Sequence, residues 1–316
     1  MSVYTDVTEP ALKRFLDDYA LGELVAYAGI ADGIENTNYR VETRDGRYVL
    51  TLFEQTAAED LPFCIDLMTA LADHGIPSAR PVADRNGKLL QRLENKPALL
   101  VEHLPGKSVE QPSLRQCRAL GDMLGRMHTF TATYAAHREN ERGLVWHTEA
   151  AAAVRNRLPG ADRALLDRTL AKSRELNPAA LPQGVIHADL FRDNALFEGD
   201  AVSGLIDFYY AHSGALIYDL AVVVADWCFE PGGEFLNAQA TAIIDGYTGH
   251  RPPTAAERTA WRAVMRAVGL RFWLSREFDR HFPRGGMITQ TKDPATFRAI
   301  LLLLEAGGEA LDALWE

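Results

Sequence analysis

The pattern of apolar residues changes near residue 105, and this change constrains the fold more than any other feature of the chain. Before it the sequence is mostly β-like, with runs at 23–28, 37–43, 47–53 and 97–102. One helical segment, 57–73, interrupts these strands, and Asp45-Gly46 is a strong hairpin signal between two of them. After 103–107, which reads His-Leu-Pro-Gly-Lys, helical spacing dominates. The sequence therefore predicts an α+β chain with two lobes.

The predicted lobes are a small antiparallel sheet with one main helix over 1–102, a hinge over 103–108, and a larger, mainly helical lobe over 109–316. In the small lobe we also expect a first helix at 9–19, capped by Thr8 and with Pro10 in its first turn, and two short strands flanking Asn86-Gly87. In the large lobe we expect helices at 114–131, 162–176, 217–229, 239–247, 255–277 and 294–314. Gly307-Gly308 is a possible interruption of the last helix, and 184–208 is the one β-like interval of this lobe.

Composition excludes several classes of protein. The net charge of −10 over 316 residues argues against a nucleic-acid-binding surface, although local groups can still hold a small anion such as a nucleotide. The most apolar stretch, 215–229, contains Asp219 and Asp226 and is too short and too charged to span a bilayer. The start of the chain has no signal-peptide pattern. Because Cys64, Cys117 and Cys228 are few and far apart, we expect reduced thiols and a cytoplasmic protein.

Three oxygen-bearing side chains stand out in the β-like interval of the large lobe. The segment 187–194 reads His-Ala-Asp-Leu-Phe-Arg-Asp-Asn, and Asp207 follows within an apolar run. Asp189 and Asn194 have the Asp-x-x-x-x-Asn spacing of kinase-like phosphotransferases, in which the Asp accepts the proton of an attacking hydroxyl and the Asn binds magnesium. A lone loop Asp usually caps a turn, but the Asn and the second Asp reverse that interpretation. The pattern predicts phosphoryl transfer from a nucleotide to a small alcohol, with Asp189 as base and with Asn194 and Asp207 as metal ligands.

Two further residues are expected to support this segment. His187 is interpreted as a packing and hydrogen-bonding residue, because no other histidine has a spacing suited to a shared metal. Asp219 is predicted near the start of a helix, where its charge suits the helix dipole and where it would also brace the catalytic segment. In the first lobe Gly33, Asn36, Thr37 and Asn38 lie between two strands, where amides and hydroxyls can face the phosphates of a nucleotide.

Several of these segments carry a resemblance to a known family. The segment 187–194, the strand Ile206-Asp207-Phe208 and the helix start at 218–221 resemble the aminoglycoside phosphotransferase/choline kinase superfamily. The segments 29–39, 48–54 and 271–276 look more narrowly like the homoserine kinases of that superfamily, and the likeness covers nearly the whole chain. The resemblance implies a bilobal protein-kinase-like fold, ATP and Mg²⁺ as cofactors, and L-homoserine, an intermediate of threonine biosynthesis, as the acceptor. Thr51 stands where many kinases of the superfamily carry a phosphate-binding Lys or Arg, which leaves open what neutralises the phosphates.

A homoserine acceptor needs a cation for its carboxylate and an acid for its ammonium group. Arginine binds carboxylates in a bidentate manner, so Arg271 and Arg276 are candidates, with an ordinary helix surface as the alternative. Tyr209 and Asp226 follow the second metal-type Asp and are further candidates for the acceptor pocket.

Two alternatives to a homoserine kinase remain open at this point. One is a kinase of the same fold acting on choline, methylthioribose, hydroxylysine or an aminoglycoside, since fold does not determine substrate. The other is a nucleotide-binding pseudokinase that acts as a regulator. The joint presence of Asp189, Asn194 and Asp207 argues against the pseudokinase, because a protein that only binds nucleotide does not need a base.

Overall fold

A computed structural model describes residues 4–30, 36–282 and 292–316 of the chain. The described residues form two compact units, the first ending at Pro105 and the second beginning at Gly106. The predicted α+β class, with an N-terminal antiparallel sheet and a mainly helical remainder, is confirmed. No helix among the residues described has the length and apolar character needed to cross a membrane.

The first unit contains one antiparallel sheet of five strands in the order β1-β2-β3-β5-β4. The strands are β1 (Leu24–Gly29), β2 (Thr37–Thr43), β3 (Arg47–Leu52), β4 (Leu90–Leu93) and β5 (Lys96–Glu102), and the helices are α1 (Glu9–Leu16) and α2 (Pro62–Asp73). Thr8 caps α1, whose apolar face packs with Tyr39, Val41 and Leu50 of the sheet in one buried cluster. In β2 alternate residues are buried, as expected for a strand with one face on a core.

One detail of this sheet differs from the prediction. Asn86-Gly87 does form a turn, but of the two strands expected around it only the later one, β4, is present. The earlier segment forms only isolated bridges, at Ser78 and Pro81, and proline has no amide hydrogen to donate to a ladder. The turn between β4 and β5 lies instead at Glu94 and Asn95, which both have positive φ angles, as a two-residue hairpin requires.

The second unit is built on helices. They are α3 (Leu114–Thr131), α4 (Leu144–Val154), α5 (Gly160–Ser173), α6 (Leu216–Trp227), α7 (Asn237–Thr248), α8 (Ala255–His281), α9 (Ala295–Glu305) and α10 (Glu309–Asp312). Helix α4 was not predicted from the sequence, and the helix expected over 294–314 is divided at Gly307-Gly308 into α9 and α10. Ten of the twelve residues of α6 are buried, so this helix lies within the core of the unit.

Two short sheets and one close helix pair position the residues of interest. β6 (Gln183–Ile186) pairs with β9 (His212–Ala215), which was not predicted, and β7 (Ala195–Glu198) pairs with β8 (Ala201–Leu205). The segment 187–194 therefore connects two strands of different sheets. Helices α3 and α7 approach closely because Gly121 and Gly246 lack a Cβ, which at either position would overlap a backbone carbonyl of the other helix. This approach brings Tyr247 to His128.

Candidate active site

Asp189 and Asn194 lie together in the loop between β6 and β7, which we call the 187–194 loop. The Asn194 side-chain nitrogen donates to the backbone carbonyl of Asp189 at 2.8 Å and to its carboxylate at 3.3 Å. The backbone of Asn194 also accepts a hydrogen bond from Ile206, so the end of β8 is attached to the loop. Because the amide nitrogen of Asn194 is engaged with Asp189, its amide oxygen is the atom free to bind a ligand.

Asp207 follows β8 and has left-handed backbone angles, φ 66° and ψ 55°. Its side chain is exposed, unlike that of the buried Asn194. Ala188, immediately before Asp189, is also left-handed, with φ 65°. A left-handed non-glycine residue costs about 1–2 kcal/mol and persists only where surrounding interactions fix it. Both carboxylates thus depend on strained backbone, either their own or that of the preceding residue.

The electrostatic setting of Asp189 suits proton acceptance. Burial and the nearby Asp207 carboxylate raise the pKa of Asp189 well above its usual value, while the charges of Arg271 and Lys292 oppose the shift. A carboxylate with a raised pKa is a stronger base than an ordinary one.

Asp219, in the first turn of α6, holds the strained part of the loop in place. Its two carboxylate oxygens accept hydrogen bonds from the backbone amides of His187 and Ala188, both at 2.6 Å. The His187 ring is fully buried and bonds to the carbonyl of Ile206 at 2.9 Å. Burial by itself would raise the pKa of Asp219, but the hydrogen bonds from the His128 ring and from the backbone amide of Ala188 hold it below the usual value. Asp219 is therefore an ionised carboxylate in the core, stabilised by the loop that it supports.

A chain of buried polar groups continues from Asp219 through helices α3 and α7. His128 Nε2 lies 3.2 Å from the Asp219 carboxylate, and His128 Nδ1 lies 2.8 Å from the Tyr247 hydroxyl. Arg251 donates to that hydroxyl at 2.8 Å and to Glu257 at 2.6 Å. Burial lowers the pKa of His128, and a neutral imidazole satisfies every partner, since Nε2–H donates to Asp219 while Nδ1 accepts from Tyr247. The strained loop is thus linked to the interior of the unit.

The donor set fits a magnesium ion carried by a nucleotide better than a resident metal. Within 4–30, 36–282 and 292–316, no cluster of three or more His, Cys, Asp or Glu side chains is arranged to hold a metal ion. Magnesium bound to phosphates keeps water ligands and needs only one or two protein oxygens. The exposed Asp207 carboxylate and the Asn194 amide oxygen are groups of this kind.

Of the four residues predicted to contact the acceptor, two are engaged with other parts of the protein. The Asp226 carboxylate accepts a hydrogen bond from the backbone amide of Arg192 at 2.8 Å. It also forms an ion pair with the guanidinium of Arg192 at 3.4 Å. Arg276 donates to the carbonyl of Asp293 at 2.6 Å, and its guanidinium lies 4.4 Å from the centre of the Phe297 ring. Tyr209 is partly buried, and its carbonyl accepts a hydrogen bond from Arg138.

Arg271 differs from these residues because it lines a pocket beside the 187–194 loop. Its side chain is only 6% exposed and donates to the Ser275 hydroxyl at 2.5 Å. The pocket is also lined by Ala188, Tyr210, His212 and Tyr218 and by the segment from Arg138 to Arg142.

The residues predicted to bind nucleotide lie in the first unit and are held differently. Gly33 lies outside the described residues, and Asn36 is partly buried just before β2. The fully buried Thr37 accepts hydrogen bonds from the amides of Tyr4 and Thr5 and donates to Glu54 at 2.7 Å, so its hydroxyl is engaged within the unit. Asn38 accepts a hydrogen bond at 2.7 Å from Thr51, its partner across β2 and β3.

Three residues that the structure brings to this region were not predicted from the sequence: His128, Arg142 and Trp146. His128 lies at the end of a predicted helix, and its partner Asp219 is 91 residues away in the chain, so no local pattern marks it. Arg142 lies just before α4 and Trp146 lies within it, and this helix was not predicted from the sequence.

Comparison with known proteins places this geometry in a family. Residues 26–253 match the family described as "Phosphotransferase enzyme family". A homoserine kinase of Methylobacillus flagellatus is 46% identical over 315 residues, which cover 100% of this chain and 99% of that protein. One from Neisseria meningitidis is 44% identical over 304 residues, which cover 96% of this chain and 100% of that protein. The chain belongs to the homoserine kinases of this phosphotransferase family.

Solved structures show that members of other kinase groups share the fold. An amicoumacin kinase has a TM-score of 0.71 at 18% identity and covers 97% of this homoserine kinase family member and 94% of its own chain. A spectinomycin phosphotransferase has a TM-score of 0.69 at 14% identity and covers 97% of this chain and 100% of its own. At such low identity these likenesses concern the fold alone.

Proposed function

We propose that this protein transfers the γ-phosphoryl group of ATP to the hydroxyl of L-homoserine, giving O-phospho-L-homoserine and ADP. The observation that carries the proposal is the identity of 46% with a homoserine kinase over the whole length of both chains. The reaction is an ATP-dependent phosphotransfer with an alcohol as acceptor, a step of threonine biosynthesis.

In the proposed mechanism Asp189 orients the acceptor hydroxyl and takes its proton. Phosphoryl transfer passes through a loose transition state, so positioning and neutralisation of charge contribute more than strong proton abstraction. The hydrogen bonds from Asn194 fix Asp189, and Asp219 fixes the strained Ala188 that precedes it. The raised pKa of Asp189 suits the acceptance of a proton.

We further propose that Asn194 and Asp207 hold Mg²⁺ and that the N-terminal lobe, predicted as residues 1–102, binds the nucleotide. When bound, the metal ion neutralises charge on the phosphates of ATP. Related folds support a nucleotide with a divalent cation, because the amicoumacin kinase was solved with AMP-PNP and Ca²⁺ and the spectinomycin phosphotransferase with ADP. Gly33, Asn36 and Asn38 remain our candidates for phosphate contacts, and Thr37 is a weaker candidate because its hydroxyl is engaged internally.

Arg271 is the predicted acceptor residue that the pocket favours, because Asp226 and Arg276 already have partners. The predicted cytoplasmic location is kept as part of the proposal. It is supported by the three cysteines, all of which are free and buried.

The proposal is tested by measuring ADP release with L-homoserine, choline, methylthioribose and kanamycin. We expect kcat/KM for L-homoserine to exceed that for the other three by about 10²-fold or more, because a polar site rejects acceptors that leave its groups unpaired. A phosphorus NMR spectrum should show the product as a phosphate ester of the homoserine hydroxyl. Preference for another acceptor would favour a different kinase of this fold, and nucleotide binding without turnover would favour the pseudokinase.

A further inference from the structure

Two arginines in the pocket beside the 187–194 loop face the same two aromatic rings. The Arg142 guanidinium lies 4.9 Å from the centre of the Trp146 ring and 5.8 Å from that of Tyr210. The Arg271 guanidinium lies 5.3 Å and 5.5 Å from the same two centres. Two like charges are therefore held near one another by a shared aromatic pair.

These two charges have no carboxylate partner among the described residues. No carboxylate of 4–30, 36–282 or 292–316 lies within 4.0 Å of the guanidinium of Arg142 or Arg271, although Arg138 of the same pocket is paired with Glu141. Glu139 and Glu141 line the same pocket; Glu139 contacts His137 at 2.8 Å and Glu141 pairs with Arg138 at 2.9 Å, so two carboxylates stand against three arginines, Arg138, Arg142 and Arg271. Cation–π contacts of this kind contribute about 0.5–2 kcal/mol each, whereas an unpaired buried charge costs several kcal/mol. The pocket therefore has excess positive charge and is suited to an anionic group.

Burial and the positive charge of the pocket lower the pKa values of two nearby histidines, His147 and His212. Burial, followed by the charge of Arg271, lowers the pKa of His147 to about 4, so this residue adds no positive charge at neutral pH. Burial also lowers the pKa of His212, another residue lining the pocket, and the charges of Arg271 and Arg138 add to the shift. The positive charge of the pocket is thus concentrated on its arginines.

The pocket lies next to the proposed base. Ala188, which lines it, is bonded directly to Asp189, and the charge of Arg271 is close enough to oppose the rise in the pKa of Asp189. An acceptor with an anionic group at the arginines would have its other end at Asp189. L-homoserine has this form, with a carboxylate at one end of a short chain and a hydroxyl at the other.

The segment that carries Arg142 is already fixed in place. Arg138 donates to the carbonyls of Tyr209 at 2.7 Å and Ala211 at 3.3 Å, and its own carbonyl accepts from Ser213 at 2.9 Å. The Asn140 side chain accepts from the amide of Arg142 at 2.8 Å and shapes the turn before α4. Because this segment is already ordered, it loses little conformational entropy when an acceptor binds, and this favours affinity.

We propose that Arg142 and Arg271 together bind the α-carboxylate of the acceptor, and that Trp146 and Tyr210 hold both guanidinium groups in position. This carboxylate clamp selects amino alcohols that carry a carboxylate over those that lack one. The inference rests on the proposed homoserine kinase activity and adds Arg142, Trp146 and Tyr210 to it.

The test compares L-homoserine with 3-amino-1-propanol, which has the same amino alcohol chain without the carboxylate. For Arg142→Gln we expect kcat/KM for L-homoserine to fall about 10- to 100-fold, mainly through KM, because a charged hydrogen bond is lost. The value for 3-amino-1-propanol should change less than about threefold, because that acceptor makes no carboxylate contact. Arg271→Gln should act in the same direction, and Arg142→Lys should recover part of the loss, since it keeps the charge without the planar fork.

A second measurement does not depend on turnover of the acceptor. L-2-aminobutyrate has the carboxylate and ammonium of homoserine but no hydroxyl, so it should inhibit competitively. Its inhibition constant should rise about 10- to 100-fold in Arg142→Gln and stay unchanged in Arg157→Gln. Arg157 is a suitable control because it also stacks on an aromatic ring, that of Phe282, but does not line the pocket.

Several outcomes would overturn the clamp. Equal losses with both amino alcohols, or an unchanged inhibition constant for L-2-aminobutyrate, would show that Arg142 has only a structural role. A melting temperature and a KM for ATP that match the unmodified protein exclude misfolding of the variant. Failure of the unmodified protein to phosphorylate L-homoserine would refute the proposed function itself, which is a distinct result.

Discussion

The 187–194 loop and the β2–β3 strand pair both carry predicted functional residues, but they hold them in different ways. The loop region has left-handed backbone at Ala188 and Asp207. The buried carboxylate of Asp219 accepts hydrogen bonds from two backbone amides of the loop. In the strand pair, Asn38 and Thr51 face each other in regular antiparallel register, and the Thr51 hydroxyl donates a hydrogen bond to the Asn38 side chain. Strain fixed by buried charge is typical of a functional site, whereas paired polar side chains in a regular sheet are also common without function.

This difference explains why the sequence identified one region more sharply than the other. In the loop, an Asp and an Asn at fixed spacing, followed by a second Asp, have few alternative explanations. In the strands, Thr37 and Asn38 have polar side chains of the kind that any sheet contains, and the structure engages the Thr37 hydroxyl internally. The following predictions test whether the two regions differ in function as they differ in structure.

The largest effect is expected for Asp189→Asn, which keeps the shape of the side chain and removes its capacity as a base. We expect kcat for homoserine phosphorylation to fall about 10²- to 10⁴-fold while ATP still binds. A steady-state assay of ADP release would give kcat, and a fluorescence titration would give the affinity for ATP. The matched control is Asp193→Asn in the same loop, an exposed residue paired with Lys292, for which kcat should change little. Near-normal turnover in Asp189→Asn would show that the loop's strained geometry serves another purpose.

Much of the fold was accessible from the sequence because its elements have clear periodicity. The helix α3 has the predicted bounds, and α8 was found although it extends four residues further than expected. Helix α4 was missed because its run of alanines, 150–153, gives no contrast between a buried and an exposed face. Missing α4 also meant missing Trp146 and the role we propose for Arg142.

The sequence suggests candidate residues for the site but not the contacts that hold them in place. Spacing alone marked Asp189, Asn194 and Asp207, but nothing in the sequence indicates that an alanine at 188 has a positive φ angle. The chain of groups from Asp219 through His128 to Tyr247 joins residues about 30 to 120 positions apart, and only the folded packing of α3 against α7 brings them together.

The second-largest effect is expected in the β2–β3 strand pair. Thr51→Val removes the hydroxyl that donates to Asn38 and leaves a partly buried acceptor without its partner, so we expect a loss of about 1 kcal/mol in the free energy of unfolding. If Asn38 contacts the nucleotide, as we propose, KM for ATP should also rise several-fold because Thr51 positions it. Calorimetry and ATP saturation curves would measure the two effects.

Thr43→Val is the control for this substitution. Thr43 is also buried in β2, 4% exposed, and its hydroxyl contacts the hairpin carbonyl of Gly46 at 3.5 Å. The Thr43→Val variant should have a lower free energy of unfolding and an unchanged KM for ATP. If Thr51→Val also left KM unchanged, the strand pair would be purely structural, and the contrast with the 187–194 loop would be stronger than we propose.

The smallest effect is expected for Ala188→Gly, and it tests whether the loop is strained at all. Glycine accepts a left-handed backbone freely, so the change relieves about 1–2 kcal/mol of strain. It also removes a buried methyl group worth about 0.8 kcal/mol and adds freedom to the unfolded chain worth about 0.4–1 kcal/mol. These contributions nearly cancel, and we expect the free energy of unfolding to change by less than about 0.5 kcal/mol.

Ala221→Gly provides the comparison, because Ala221 is also buried but lies in the regular helix α6. There glycine relieves nothing, and loss of helix propensity and of the methyl group should together cost about 2 kcal/mol. All five tryptophans lie in the second unit, so their fluorescence during urea unfolding reports on the unit that contains both alanines. Equal destabilisation by the two substitutions would mean that Ala188 bears no strain, and Asp219 would then be an ordinary helix-end carboxylate and not the support of the 187–194 loop.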